Sequence, residues 1–253
     1  MTEVFYNRLA PYYKYFYRDW GASVQRQAQA LDSVIQEFID KTATSVLDVA
    51  CGIGTQSIGL AKLGYKVKSS DLSFAEIEYA RQEATRQGVQ IEFRVADMRQ
   101  VWDVYQSQFD VVIACDNSVP HLLNDQEILT AFQQFYRCTK SDGCCIITVR
   151  DYAQLERKER QKQIHPRSVQ QTEDVQIVMF DVWDFNEDCY EITTYVVEDR
   201  GEPVAQTQVI RGGKYYCIEI PTLEDLFKAS GFREVRTLRD RFFQPLLIAF
   251  KDD

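Results

Sequence analysis

The chain has 253 residues, 45% of them hydrophobic and 26% charged, with a formal net charge of −9. That is enough for one large domain, or a domain with an insertion, whose core needs no covalent staples. The acid excess, with no lysine or arginine stripe, repels phosphate and argues against nucleic acid and anionic membrane surfaces as partners.

In chain order, "YNRLAPYYKYFYRDW" at residues 6–20 is dense in aromatics and reads either as a lid or as a helix packed on the domain. Val24, Ala28, Leu31, Val34, Ile35, Phe38 and Ile39 recur at helical spacing. "SVLDVA" (45–50) is a buried strand, and residues 55–63 form a helix that stops near Gly64. "YKVKSSD" is a second strand, ending in Asp71. Ser73 and Glu76 make an S-x-x-E capping box for a helix reaching about Gln87. "IEFRVAD" is a third strand ending in Asp97, "FDVVIAC" a fourth, and "GCCIITV" a fifth. Between the last two, Ile128, Leu129, Phe132, Phe135 and Tyr136 mark an amphipathic helix.

Apolar strands alternating with helices over residues 41–150 imply a parallel sheet covered on both faces. The pattern then changes. "VQIVMFDVWDF", "YEITTYVVED" and "KYYCIEI" follow one another without helices, so residues 151–220 read as an antiparallel β insertion. A helix over "PTLEDLFKASGF", with Thr222 as N-cap and Gly231 as stop, and two strands at 233–239 and 244–251 close the core. The expected fold is α/β: a Rossmann-like, seven-stranded mixed sheet with a small antiparallel insertion. The inserted sheet could pair across subunits of a homo-oligomer as readily as cover its own site. The densest basic stretch, residues 157–162, contains Glu159 and reads as a solvated loop or helix face.

Seven cysteines, an odd number with no C-x-x-C pair, suit a reducing compartment. The N-terminus lacks an apolar signal core and no run of 18 apolar residues exists, so a cytoplasmic protein is expected. Two histidines exclude a His-rich metal site, and no other metal spacing stands out.

The chemistry is expected at the glycine turn after strand one, since ligands of open α/β sheets bind at the carboxyl ends of the strands. Gly52 and Gly54 let a ligand approach the backbone. The dinucleotide fingerprint is incomplete: Ser57 stands at the third glycine position, and Asp48 precedes the turn, where it would repel a pyrophosphate. A ligand with positive charge and no phosphate removes that objection, and S-adenosylmethionine is such a ligand. Asp71 at the end of strand two can accept from a ribose diol, and Asp97 from an adenine amine with Met98 against the ring.

"VLDVACGIGT", "SSDLS" and "VADM" resemble the first three motifs of the class I S-adenosylmethionine-dependent methyltransferases, with Asp48, Ala50, Gly52, Gly54, Asp71, Leu72, Asp97 and Met98 at the matching positions. "ACDNSVPHLL" and "VRDY" resemble more narrowly the glycine/sarcosine N-methyltransferase group. That resemblance implies that Asn117 orients a substrate amine, that His121 lines the site, and that Arg150 clamps a carboxylate, while Cys115 is expected among the cofactor-binding residues. It further implies that Arg26 meets the methionine carboxylate, and that Tyr195, Tyr215 and Tyr216 belong to the substrate pocket. The implied reaction moves a methyl group from S-adenosylmethionine to a small-molecule acceptor, an amino-acid amine of the glycine type being favoured. Other O-, N- or C-acceptors, a dinucleotide enzyme and a non-catalytic binding module are the alternatives.

Overall fold

The computed structural model describes residues 2–39, 44–155, 162–172 and 174–252. The basic stretch at 157–161 lies outside the described residues. Seven strands form one sheet in the order β10-β11-β5-β4-β1-β2-β3. They are β1 (Ser45–Asp48), β2 (Lys66–Asp71), β3 (Glu92–Val95), β4 (Phe109–Ala114), β5 (Thr139–Thr148), β10 (Glu234–Leu238) and β11 (Leu246–Phe250). The pairings β1–β2, β2–β3, β1–β4 and β4–β5 are parallel, while β11 runs antiparallel to both β5 and β10.

Period-two alternation explains why the central strands are apolar throughout. Leu47, Val112, Cys145, Ile147 and Leu247 point into a core shared with α5 (Val101–Tyr105), α6 (Asp125–Cys138) and α7 (Ile220–Ala229). Their neighbours Val46, Val111, Cys144, Ile146 and Ile248 point into a second core with Leu31, Val34 and Ile35 of α2 (Trp20–Phe38). α3 (Thr55–Lys62) and α4 (Phe74–Arg86) follow β1 and β2. Six of the seven cysteines are buried.

The insertion is a separate antiparallel sheet in the order β6-β7-β8-β9, with strands Lys162–Gln171, Gln176–Asn186, Cys189–Asp199 and Gln206–Tyr216. It is larger than the alternation predicts. β6 escapes notice because it is polar, exposed and broken by Pro166 at a register shift, as an edge strand permits. β9 begins at Gln206 and ends at Tyr216, so the second half of "KYYCIEI" is not strand. Instead α7 starts at Ile220, with Glu219 at its N-cap, and Thr222 lies inside the helix. Pro221 in the first turn explains the early start, because a residue there needs no amide hydrogen.

The aromatic N-terminus is helix α1 (Thr2–Tyr13), which joins the two sheets. Phe5 and Leu9 are buried in the core of the insertion. On the other side, Asn7 Oδ1 accepts from Ala75 N (3.0 Å) and Ser73 Oγ (2.8 Å), capping α4 from outside. No described helix is long and apolar enough to cross a membrane.

Candidate active site

Two cavities open beside the carboxyl ends of β1, β2 and β4. The smaller, about 240 Å³, is lined among others by Ala50, Gly52, Asp71, Leu72, Asp97, Met98, Cys115 and His121. The larger, about 510 Å³, lies between α1, α2 and the inserted sheet and includes Arg26, Asn117, Arg150, Arg167, Asp181 and Tyr215. Tyr6, Tyr13, Tyr17 and Asp116 line both.

The turn after β1 is held by the carboxylate at the end of β2. Gly52, at φ +52°, donates its N–H to Asp71 Oδ2 (2.9 Å), and Ser73 N donates to Oδ1 (2.8 Å). Burial pushes the Asp71 carboxyl up, against these two bonds. Gly54 lines neither cavity. It N-caps α3 at φ +88°, and a Cβ there would come within 3.0 Å of Ile58 Cδ1 and 3.3 Å of Ala80 Cβ. Its lack of a side chain serves helix packing.

Asp48 also departs from expectation. It is 1% exposed and lines neither cavity. Its carboxyl accepts from Ser57 Oγ (2.6 Å) and Ala50 N (3.3 Å), and Ser69 Oγ donates to Ser57 Oγ (2.8 Å). Asp48 therefore braces the turn from below rather than facing a ligand's positive charge. Burial pushes it up to about 7. A carboxyl raised on folding contributes stability that is complete below its unfolded value and is lost as pH rises through the folded one. Asp48→Asn is accordingly expected to gain melting temperature relative to the parent by a few degrees between pH 5 and 8. Parallel melting curves at the two pH values check this, and an unchanged difference would mean Asp48 stays ionised throughout.

Glu76 fulfils only half of the capping box. Its N–H donates to Ser73 Oγ (3.2 Å), but its carboxyl turns into the smaller cavity, 2% exposed, where Oε1 has no partner among the described residues. Burial pushes it well above the usual range, with Asp71 adding to the effect. A Cβ on Gly52 would sit 3.5 Å from Glu76 Oε2. Two acids beside a side-chain-free turn, with Leu72 and Met98 in the same lining, fit a group carrying hydroxyls, a cation and a flat ring. They do not fit a pyrophosphate. These residues match the requirements of S-adenosylmethionine. Asp97 is already matched: burial opposes its charge, but Arg99 at 2.6 Å holds it below the usual range, and Arg99 also reaches Glu127 at 2.8 Å.

His121 is half-buried between two elements. Its Nδ1–H donates to the Lys214 carbonyl (2.7 Å), which leaves Nε2 to accept from the Tyr6 hydroxyl (2.6 Å). The Tyr6 oxygen is in turn 2.9 Å from the Tyr215 hydroxyl. Burial lowers His121 to about 4, so it is neutral at physiological pH.

After β4 the backbone enters the left-handed region twice in succession, at Asp116 (φ +58°) and Asn117 (φ +64°). Asn117 is 4% exposed and fully engaged: Oδ1 accepts from Arg150 N (2.9 Å), and Nδ2 donates to Tyr152 OH (2.8 Å). The double turn aims Asp116 at the junction of the two cavities. There it accepts from Tyr17 OH (3.2 Å) and Gln244 Nε2 (3.3 Å). Arg150 donates to Tyr190 OH (2.6 Å) and lies 4.5 Å above the Trp183 ring. The neighbouring Asp151 pairs with Arg239 and not with Arg150. Arg26 donates to Ser23 Oγ (2.8 Å) and lines the larger cavity, apart from the motif residues.

Of the three expected pocket tyrosines only Tyr215 lines a cavity. Tyr195 stacks on Phe180 (4.8 Å between centroids) on the opposite face of the inserted sheet, while Ile192 and Thr194 line the cavity. An offset of one residue selects the opposite face of a strand. Tyr216 donates to Asp125 Oδ1 (3.0 Å) and packs on the main core. Tyr6, Glu76, Asp116, Arg167, Asp181 and Thr194 are site residues that the sequence reading omits. For Asp116 a signal existed, an Asp-Asn pair directly after an apolar strand, where both residues tolerate the left-handed conformation.

Residues 46–143 match a family model described as a methyltransferase domain. The glycine/sarcosine N-methyltransferase of Aphanothece halophytica is 34% identical over 146 residues, 56% of this chain and 54% of that protein. The chain thus spans about half the length of the curated relatives it matches. Among solved structures, Streptomyces venezuelae DesVI superposes with a TM-score of 0.82 at 17% identity, covering 96% of this chain and 98% of that one. S-adenosylmethionine-bound CalS10, an amino pentose methyltransferase from Micromonospora echinaspora, superposes at 0.75 with 16% identity, covering 90% and 91%. The motif turn, the strand order with its antiparallel β11 and the match over 46–143 agree: residues 46–143 are a methyltransferase domain, and the chain has the fold of the S-adenosylmethionine-dependent methyltransferases it superposes on.

Proposed function

We propose that the chain transfers a methyl group from S-adenosylmethionine to an amine of a small molecule. The observation that carries this is the junction between the cavities, which Tyr6 and Asp116 both line, so that a carboxylate able to hold an amine stands between the cofactor's cleft and the larger cavity. Asp71, Glu76 and the Gly52 turn would hold the polar parts of the cofactor, with Leu72 and Met98 against its ring. When bound, S-adenosylmethionine supplies an already activated methyl group, so the protein's task is positioning and the exclusion of water.

A hydroxyl acceptor would need its proton removed. His121 is poorly suited to that. Its free lone pair is taken up by Tyr6, and burial disfavours its protonated form. An amine in its neutral form already carries a lone pair and needs only orientation. His121 is thus a positioning residue: it fixes the Tyr6 O–H, so the Tyr6 oxygen accepts from the Tyr215 hydroxyl and keeps one further lone pair for the junction. The resemblance of residues in this half of the chain to glycine/sarcosine N-methyltransferases supports an amine acceptor.

The direct test is release of S-adenosylhomocysteine from S-adenosylmethionine with a panel of amines, phenols and enols. Turnover confined to amines is the expected result, and turnover confined to oxygen or carbon acceptors would refute it. Tyr6→Phe removes the hydroxyl and strands both His121 Nε2 and Tyr215 OH. It is expected to lower kcat about tenfold while leaving S-adenosylhomocysteine affinity within about twofold. Single-turnover rates together with calorimetry check this, and an unchanged kcat would remove Tyr6 from the reaction.

A further inference from the structure

We infer that the outer face of the inserted sheet is the contact surface of a homodimer, packed face to face against the same sheet of a second copy of this chain. The inference is independent of which acceptor is methylated.

The first ground is the pattern of the strands. An antiparallel sheet with one wet face alternates apolar residues inward with polar residues outward. Along β7 and β8 the inward positions, among them Met179, Asp181, Ile192 and Thr194, are buried. The outward positions between them are half-buried, yet most are apolar as well. Cross-strand register gathers them into rows. Pro166, Phe180, Tyr195 and Val209 make the central row, with the rings of Phe180 and Tyr195 stacked at 4.8 Å and 4°. On one side of it a row runs through Val169, Val178 and Val197. On the other a row runs through Ile164, Val182 and Thr193, with Arg211 at its end as the one charge in the three rows. None of these side chains belongs to the hydrophobic cores of the described residues. Ile164 and Val169 are 71% and 65% exposed.

The second ground is charge. A chain of net charge −9 repels its own copy wherever acids stand exposed. This face keeps its acids at the rim. One bordering row holds Lys162, Asp184, Glu191 and Lys214, paired as Lys162–Asp184 (3.6 Å) and Lys214–Glu191 (3.9 Å). The other border is Gln171, Gln176 and a single acid, Asp199. An apolar centre inside a polar rim is the anatomy of a protein–protein interface.

The third ground is area and shape. Rows about 6.6 Å apart on strands about 4.8 Å apart give this face, rim included, on the order of 600 Å². Two copies would then bury about 1,200 Å², which reaches the range of specific interfaces. Sheets stack about 10 Å apart with their strands within about 30° of each other. A second copy brings a flat, neutral sheet of the same outline, and a two-fold axis sets the Phe180–Tyr195 row of one copy against that of its partner. Asp181, Ile192 and Thr194 on the opposite face line the larger cavity, so the interface and the site use different sides of the same strands.

The test is sedimentation velocity of the whole chain at about 50 μM, with a dimer as the expected species. Phe180→Asp should sediment as a monomer. So should the double variant Ile164→Asp, Val169→Asp, whose parent side chains stand largely in solvent in the single chain, so it keeps the test sound even where Phe180→Asp fails to fold. Leu63→Asp, at the end of α3 and 46% exposed in the parent, should remain a dimer. In the double variant S-adenosylhomocysteine Kd, read by calorimetry, should stay within about twofold of the parent. Three results overturn the inference: a monomeric parent chain, a dimer that survives the double variant, or a dimer that Leu63→Asp breaks instead.

Discussion

Asp71→Asn should weaken S-adenosylhomocysteine binding by at least about a hundredfold, a loss near 2.7 kcal/mol. Both carboxylate oxygens of Asp71 accept from backbone N–H groups, Gly52 at 2.9 Å and Ser73 at 2.8 Å. An amide has one oxygen. Its NH₂ must face one of those two donors, so one charge-assisted bond is lost and one N–H is stranded, at about 1–3 kcal/mol for each effect. The Gly52 turn forms the wall of the cleft, so distortion there is felt in binding as well as in stability. Calorimetric titration together with a melting curve separates the two. A lowered melting temperature with unchanged Kd would assign Asp71 to the scaffold alone.

Asn117→Ala is expected to cost about 3–5 kcal/mol of folding stability and to abolish most turnover. The alanine would sit at φ +64°, a conformation that costs it on the order of 1 kcal/mol. It would also leave Arg150 N and Tyr152 OH without their bonds to the side chain, at about 1–3 kcal/mol each. Asn117→Gly accommodates the backbone but still lacks the side chain, so it should recover about 1 kcal/mol of the stability and little of the activity. Chemical denaturation of the two variants reads the difference. Equal stabilities would show that the double left-handed turn carries no strain there.

The sheet was legible because its signals are local. An apolar run, a glycine turn and a closing acid recur within about ten residues, and the physics of each unit does not depend on the rest of the chain. Asp71 could be assigned to the cleft for the same reason. Asp48 could not, since a sequence shows that an acid ends a strand but not that Ser57, nine residues on across the glycine turn, will claim it. Glu76 reads as a cap because its spacing to Ser73 is right, yet Asp71 takes the Ser73 N–H first, and the carboxylate is freed for the cavity. Tyr195 shows how narrow the margin is in a strand, where its neighbours Thr194 and Ile192 have the face it was expected to have. Tyr6 lies 115 positions from His121 and 209 from Tyr215. Nothing in a run of aromatic residues says which of them will close that triangle.

The placement of β11 governs how the molecule is made. Residues 246–250 pair with 144–148, and the whole inserted sheet is synthesised between the two. During translation β5 therefore waits with one edge open, and its run Cys144–Cys145–Ile146–Ile147 is uncharged and β-prone. Such an edge can recruit strands from other nascent chains. Yield in cells should then depend on how fast the ribosome delivers β11 and on chaperones that cover β5 in the interval. A circular permutant opened within the inserted sheet, with residues 2 and 252 joined by a linker, would shorten that interval without altering one residue of the site.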